Sequence, residues 1–218
     1  MTATTSRRHL LTTGLGLAGL AALPALAQDK FPSRPITLVV PFAAGSGTDA
    51  VARVVANKLG ERLKQAVVVD NRAGANAQIA AAHVVKAKPD GYTLFMTTNT
   101  SHSANPWLVK GLKYDPVKDF TPVARVGELP FALAVNPAVP AKTLAELLDY
   151  ARANPGKLSY ATPNSTSLVA MESIKHIAKI DVLGVPYKSS PQAMTERRLG
   201  ALSGSSHSAC KRAFGSRS

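Results

Sequence analysis

The sequence predicts an α/β fold arranged as two lobes, each a mixed or parallel sheet flanked by helices. Three observations point there. From Ile36 onward, short β-branched apolar runs alternate with stretches of helical periodicity, the mark of a parallel sheet with right-handed crossovers. Near Pro130 the rhythm changes and a second strand–helix series begins. The chain has 218 residues, 45% apolar and 18% charged, which suits one large or two small globular domains and excludes wholesale disorder or a collagen-like fibre.

The elements follow in order. Ile36 to Val40 is a buried strand, and Pro41 to Thr48 a glycine-containing loop. Val51, Val54, Val55, Leu59 and Leu63 then recur at helical spacing and predict an amphipathic helix beginning near Thr48. Val67 to Val69 is the second strand, and Ile79 to Val85 an alanine-rich helix. Pro89-Asp90-Gly91 turns the chain into a third strand, Tyr92 to Met96. Val123–Val126 and Phe131–Val135 read as strands around Pro130, a crossing point between lobes. Thr143 and Glu146 form a capping box for a helix that buries Leu144, Leu147 and Leu148 and stops at Asn154-Pro155-Gly156. Strand Leu158–Ala161, helix Ser167–Lys179 and strand Val182–Val185 complete the second series. From Glu196 to Ser218 the chain is rich in Ser, Arg, Gly and Ala without sustained periodicity, and reads as a disordered tail.

Charge and cysteine content narrow the function. The net charge is +13, yet Arg7 and Arg8 at the start and five basic residues after 195 carry much of it. The rest are scattered without a helix-long stripe, and aromatics are sparse, so nucleic acid is not an expected partner. One cysteine, Cys210, excludes an internal disulfide framework and any multi-cysteine zinc site. Residues 1–27 read as an export signal: a basic start, a weakly apolar run from Leu10 to Leu23, and Ala25-Leu26-Ala27 as the cleavage site before Gln28. Ser6-Arg7-Arg8-His9-Leu10-Leu11 resembles a twin-arginine motif, leaving both export routes open. The mature protein is expected in the periplasm, with a first lobe over 28–128 and a second over 129–195.

The loops at the carboxyl ends of the strands carry the candidate chemistry. Gly45-Ser46-Gly47-Thr48-Asp49-Ala50 fits G-x-G-x-x-G/A, and Asp70 ends the next strand, as a dinucleotide fold requires. Pro41-Phe42-Ala43-Ala44 nevertheless separates Val40 from Gly45, whereas a dinucleotide turn sets its first glycine close to the strand end. Without the nucleotide, the same loop still offers unpaired amides at the positive end of a helix, a site for a carboxylate or phosphate. Thr162-Pro163-Asn164-Ser165-Thr166-Ser167 repeats the arrangement in the second lobe, with Ser165 or Thr166 as the helix cap. Asn99 to His102 lie beyond the third strand, on the edge where open α/β sheets bind ligands. Catalysis has little support: there is no Gly-x-Ser-x-Gly, no His-Glu-x-x-His and no complete P-loop. His83 and His176 fall on helix surfaces.

Several strings together resemble the Bug-type solute-binding receptors of tripartite tricarboxylate transporters. They are Phe31-Pro32-Ser33-Arg34-Pro35-Ile36, PFAAGSGTD at 41–49, VDNRAGA at 69–75, PDGYTL at 89–94, YDPVKDFTPV at 114–123 and VPYK at 185–188. The resemblance runs from Phe31 to about Thr195. It implies a fold like the periplasmic type II binding proteins, with two α/β lobes closing on a small organic carboxylate. It also implies membrane transporter subunits as partners, no cofactor, no metal and no catalysis; the receptor is expected to act as a monomer. The family's first binding loop maps onto Phe42, Ala43, Gly45, Ser46, Gly47, Thr48 and Asp49, and its second onto Asn71 to Gln78, including Asn76. Asn99 and Ser101 lie nearby, and the second lobe supplies Thr162, Asn164, Ser165, Thr166 and the ring of Tyr187. Backbone amides, hydroxyls and bound waters, rather than an arginine clamp, are the implied ligands of the carboxylate.

The chain departs from the family pattern at named places. Ser46 stands where a second consecutive glycine is usual, Ala73, Asn76 and Ala77 replace a proline and a Gly-Gly pair, Ala80 replaces another glycine, and Leu168 holds a position often occupied by histidine. After Met194-Thr195 the family continues with an Asp-Leu-Leu-Gly-Gly-like run, whereas Glu196-Arg197-Arg198 opens something unrelated, so the second lobe is expected to be incomplete through truncation. Two alternatives stand beside the receptor reading: an exported dinucleotide-dependent oxidoreductase, and a ligand-sensing adaptor to a membrane sensor.

Overall fold

β1 (Ile36–Val40) is buried on both faces, with Val39 and Val40 fully out of water, and this makes it the centre of the first sheet. A computed structural model describes residues 31–198 and 204–208; the expected export signal and Cys210 lie outside them. β1 pairs in parallel with β2 (Val67–Asn71) on one side and β3 (Thr93–Phe95) on the other, Leu38 standing opposite Val69 and Leu94. Parallel pairing sends the connections back over the sheet as helices α1 (Gly47–Leu63) and α2 (Gln78–Val85).

α1 approaches the sheet on small residues. Ala52 and Ala56 are buried against Leu38, Val40 and Met96, with Val55, Val67, Val69 and Leu94 closing the cluster. Val54, expected on the apolar face, is half exposed. The alanines allow the backbone to come close, and the face that includes them turns Val54 outward.

The third strand is followed by a π-helical turn, Thr100–Ala104, that runs into the short helix α3 (Asn105–Leu108). The expected strand at Val123–Val126 does not form; 121–130 is irregular and Val123 is largely exposed. Pro122 and Pro130 bracket this stretch without amide donors, and β-branched residues make a strand only where a neighbour completes the ladder.

The second sheet has the order β4-β7-β5-β6, from β4 (Phe131–Val135), β5 (Ser159–Thr162), β6 (Leu183–Pro186) and β7 (Gly204–Ser208). β5 is parallel to β6 and β7, while β4 runs antiparallel to β7. Helix α4 (Leu144–Ala153) has the expected capping box: the Glu146 amide donates to Thr143 Oγ1 and the Thr143 amide to Glu146 Oε2, both at 3.2 Å. Leu147 packs on the core formed by Ala151, Leu158, Tyr160, Met171 and Val182, but Leu144 is more than half exposed. α5 (Ser165–Ala178) and α6 (Ser190–Arg198) complete the described elements.

Of the stretch 196–218 expected as a disordered tail, 199–203 and 209–218 lie outside the described residues. α6 carries the chain through Glu196 to Arg198, and β7 occupies an interior place in the second sheet. Among the described residues no helix is long and apolar enough to cross a membrane.

Candidate functional site

The loop after β1 is organised by Asp49, a carboxylate buried in the first turn of α1. Its Oδ2 accepts from the Gly45 amide at 2.9 Å and from Arg53 Nε at 3.0 Å; its Oδ1 accepts from Asn71 Nδ2 at 2.9 Å. Asn71 Nδ2 also donates to the Phe42 carbonyl at 3.0 Å, so the end of β2 holds the loop that leaves β1. Burial raises the pKa of Asp49, but the hydrogen bonds from Arg53, Gly45 and Asn71 outweigh it and hold the carboxyl below its ordinary value. Asp49 is thus a scaffold for the loop, its oxygens already engaged.

Ser46 is the N-cap, its Oγ accepting from the Asp49 amide at 3.2 Å, and its own amide donates to the Ala43 carbonyl at 3.1 Å. The Ala50 amide donates to the Ser46 carbonyl. Of the first-turn amides, those of Gly47 and Thr48 have no partner among the described residues, and they stand at the positive pole of a 17-residue helix. Gly45 adopts φ +81°, and a methyl group added to it would lie 3.8 Å from Cγ of Pro191, which brings the loop beside the start of α6.

The second loop is strained. Ala75, Asn76 and Ala77 have φ of 45°, 50° and 69°, and Gly74 before them 132°. Two of these three are positions where a Gly-Gly pair was the expected family pattern; an L-residue with a Cβ pays about 1–2 kcal/mol there. Ala75→Gly, at an exposed position with no buried methyl to lose, is expected to stabilise the protein by about 0.5–1 kcal/mol. A thermal melt reads this as a rise of a few degrees.

At the end of β3 the hydroxyls turn inward. Ser101 is fully buried, with Oγ 2.6 Å from Thr97 Oγ1, 3.1 Å from His102 Nδ1 and donating to the Thr98 carbonyl at 3.2 Å. Thr98 Oγ1 is buried without a partner among the described residues. His102 sits among rings, 4.8 Å from Phe120 and 6.0 Å from Phe95 between centroids, and burial lowers its pKa. A histidine held neutral in this way contributes stability above its ordinary value of about 6.5, lost as pH falls below it. Melting curves at pH 7.5 and 5.5 are expected to show an acid loss that shrinks in His102→Gln.

In the second lobe the N-cap of α5 is Asn164, rather than Ser165 or Thr166, and the helix starts at Ser165, two residues earlier than expected. Asn164 Oδ1 accepts from the Ser167 amide at 2.9 Å, and Ser167 Oγ accepts from the Asn164 amide at 3.3 Å. An asparagine carbonyl with a reciprocal Ser three residues later satisfies two end groups at once, which a lone hydroxyl does not. The amides of Ser165 and Thr166 are left without a partner among the described residues. Their side chains reach the first lobe: Ser165 Oγ donates to Asn105 Oδ1 at 3.2 Å, and Thr166 Oγ1 donates to Asn99 Oδ1 at 2.9 Å. Thr162 Oγ1 donates to the Val185 carbonyl across the sheet. Tyr187 packs beside Ala161 and Ala193 and donates its hydroxyl to Glu196, which pushes its pKa up to about 12.

The structure thus gathers Asn99, Thr100, Ser165 and Thr166 where the lobes meet, and sets Gly45 near the start of α6. The hydroxyls of Ser101, Thr162 and Ser165 are spent within the protein. Sequence reading missed the role of Arg53, Asn105 and Tyr114 and gave Asn71 no function of its own; an asparagine at a strand end or before a proline reads as turn chemistry, and only the fold reveals its partners. No group of three or more His, Cys, Asp or Glu among the described residues could hold a metal.

The family model described as the tripartite tricarboxylate transporter family receptor, TctC, matches residues 51–208. The chain belongs to this receptor family. The match runs past Thr195 to include β7. A UPF0065 protein of Bordetella bronchiseptica is 41% identical over 199 residues, covering 87% of this chain and 59% of the relative. BugT of Bordetella pertussis is 33% identical, covering 89% of this chain and 61% of its own length. Among solved structures, a Rhodopseudomonas palustris protein with adipate superimposes with a TM-score of 0.79 at 36% identity, covering 81% of this chain and 60% of that one. MatC from the same organism, with bound malate, gives 0.76 at 34%, covering 81% and 61%. The chain spans about three fifths of the length of the relatives it matches. The fold is that of the periplasmic binding proteins, and the TctC receptors are binding proteins rather than enzymes.

Proposed function

We propose that this TctC-family chain is an extracytoplasmic solute receptor that takes a small organic carboxylate between its lobes and delivers it to the membrane subunits of a tripartite tricarboxylate-type transporter. The observation that carries this reading is the pair of helix starts, Gly47 and Ser165, one in each lobe, each with two uncommitted first-turn amides among the described residues. Such ends favour an anion by about 0.3–1 kcal/mol each, and up to about 2 kcal/mol when partly buried. A micromolar ligand needs about −8 kcal/mol, so further hydrogen bonds and apolar contact must contribute. Phe42, half-buried beside the first loop, is available for that. The neighbours solved with adipate and malate support a dicarboxylate. The remaining candidate residues, Ala43, Ser46, Asp49, Asn76, Asn164 and Tyr187, shape the walls rather than hold the anion. Export to the periplasm, with cleavage after Ala27, fits the same reading.

Titration calorimetry of the 218-residue protein with adipate, malate and NAD tests it. Saturable micromolar binding of a dicarboxylate is expected. Binding of NAD alone would favour the oxidoreductase alternative and overturn the proposal.

A further inference from the structure

Asn105 is fully buried, and each polar atom of its carboxamide has a partner in a different part of the molecule. Its Nδ2 donates to the Asn76 carbonyl at 2.7 Å, in the left-handed turn after β2, and to the Tyr114 hydroxyl at 3.2 Å. Tyr114 in turn donates to the Ser101 carbonyl at 2.7 Å. Its Oδ1 accepts from Ser165 Oγ, the first residue of α5 in the second lobe. The orientation follows from chemistry: a carbonyl can only accept, so Nδ2 must face Asn76, and Ser165 must donate to Oδ1. The π turn supplies the placement. The Asn105 amide bonds to the Thr100 carbonyl five residues back, and the extra residue in that turn rotates the carboxamide relative to an α-helical course.

We infer that Asn105 is a positioning residue that ties the strained 75–77 turn of the first lobe to the start of α5 in the second, so that one buried carboxamide sets the spacing of the lobes. The inference rests on the carboxylate-receptor reading for its purpose, but not for its geometry. Thr166 makes two further contacts across the same boundary, to Asn99 at the surface, where water competes, and at 3.4 Å to the part-buried hydroxyl of Thr100; the Asn105–Ser165 bond is the buried one.

Ser165→Ala removes the crossing bond with the smallest change in volume. Hydrogen exchange of the backbone amides at 76–79, which belong to the other lobe, is expected to quicken by about three- to tenfold, the worth of one hydrogen bond. Ser165→Cys, which keeps a weak donor, should give a smaller rise, and it serves if the alanine variant fails to fold. Unchanged exchange at 76–79 in a folded variant overturns the inference, because a local packing role for Ser165 would not reach that turn. Adipate titration runs in parallel: weaker binding by the variant supports a role in capture. Failure of the unmodified protein to bind adipate counts against the carboxylate reading alone, and leaves the exchange result standing.

Discussion

Asp49→Ala is expected to lower the melting temperature by roughly 5–15 °C, the effect of about 2–4 kcal/mol in a domain of this size. The figure comes from the groups the carboxylate now satisfies. Asn71 Nδ2 and the Gly45 amide are partly buried donors that lose a charged acceptor, each at a cost of about 1–3 kcal/mol. Arg53, half in water, adds little. Because the Asp49 pKa lies below its ordinary value, the stability it confers is present above that value and fades as pH falls through the folded one. The variant should therefore also lose part of the acid sensitivity of the parent. Adipate binding, measured at a temperature where the variant remains folded, should disappear with the loop geometry. Retention of both stability and binding would show that the loop is held by something other than this carboxylate.

Gly184→Val is the second large effect. In the β5–β6 ladder Gly184 stands opposite Tyr160, and the ring of Tyr160 lies over the space a side chain would fill. An added Cβ would sit 2.9 Å from the tyrosine oxygen and 3.0 Å from Cζ. Tyr160 is almost fully buried and donates its hydroxyl to Glu172, and burial together with that bond raises its pKa. The ring can yield only by leaving its partner and the core of the second lobe. Overpacking of this kind costs about 1–3 kcal/mol, and the loss of the hydrogen bond adds to it. Tyrosine fluorescence and a thermal melt are expected to report a loosened second lobe. Gly184→Ala should give the milder version, and a neutral result for valine would mean that the strand shifts to accommodate it.

The sequence made the parallel strand–helix alternation legible because burial and periodicity coincide there. β1 is apolar at every position but one, and the capping box at Thr143 is a local reciprocal bond that needs no tertiary partner. The failures at Val54 and Leu144 have one cause. Large apolar residues were assigned inward by type, whereas the helices dock on Ala52, Ala56 and Ala151. The π turn carries no apolar stripe, only Thr-Ser-His-Ser-Ala, so neither period reports it. β7 is harder still: Gly-Ser-Ser-His-Ser has no strand preference, and its conformation is imposed by the ladders on either side. In the candidate site the loops were visible, since glycines and hydroxyls mark helix starts. Which hydroxyls face inward was not, because that depends on partners as distant as Asn105 and Ser165, sixty residues apart.

The interior position of β7 sets an order of assembly. Among the described residues the strands of the first sheet end by Phe95, with Thr37 standing opposite both Val68 and Thr93. Phe131, by contrast, meets Ser208, and among the described residues β4 has no other strand beside it. In a chain emerging from its amino end the strands of the first sheet can therefore pair while Phe131 and Leu133 wait, unshielded, for a late segment to thread between two earlier ones. That interval is when a chaperone, or an unwanted copy of the same edge, has its opportunity.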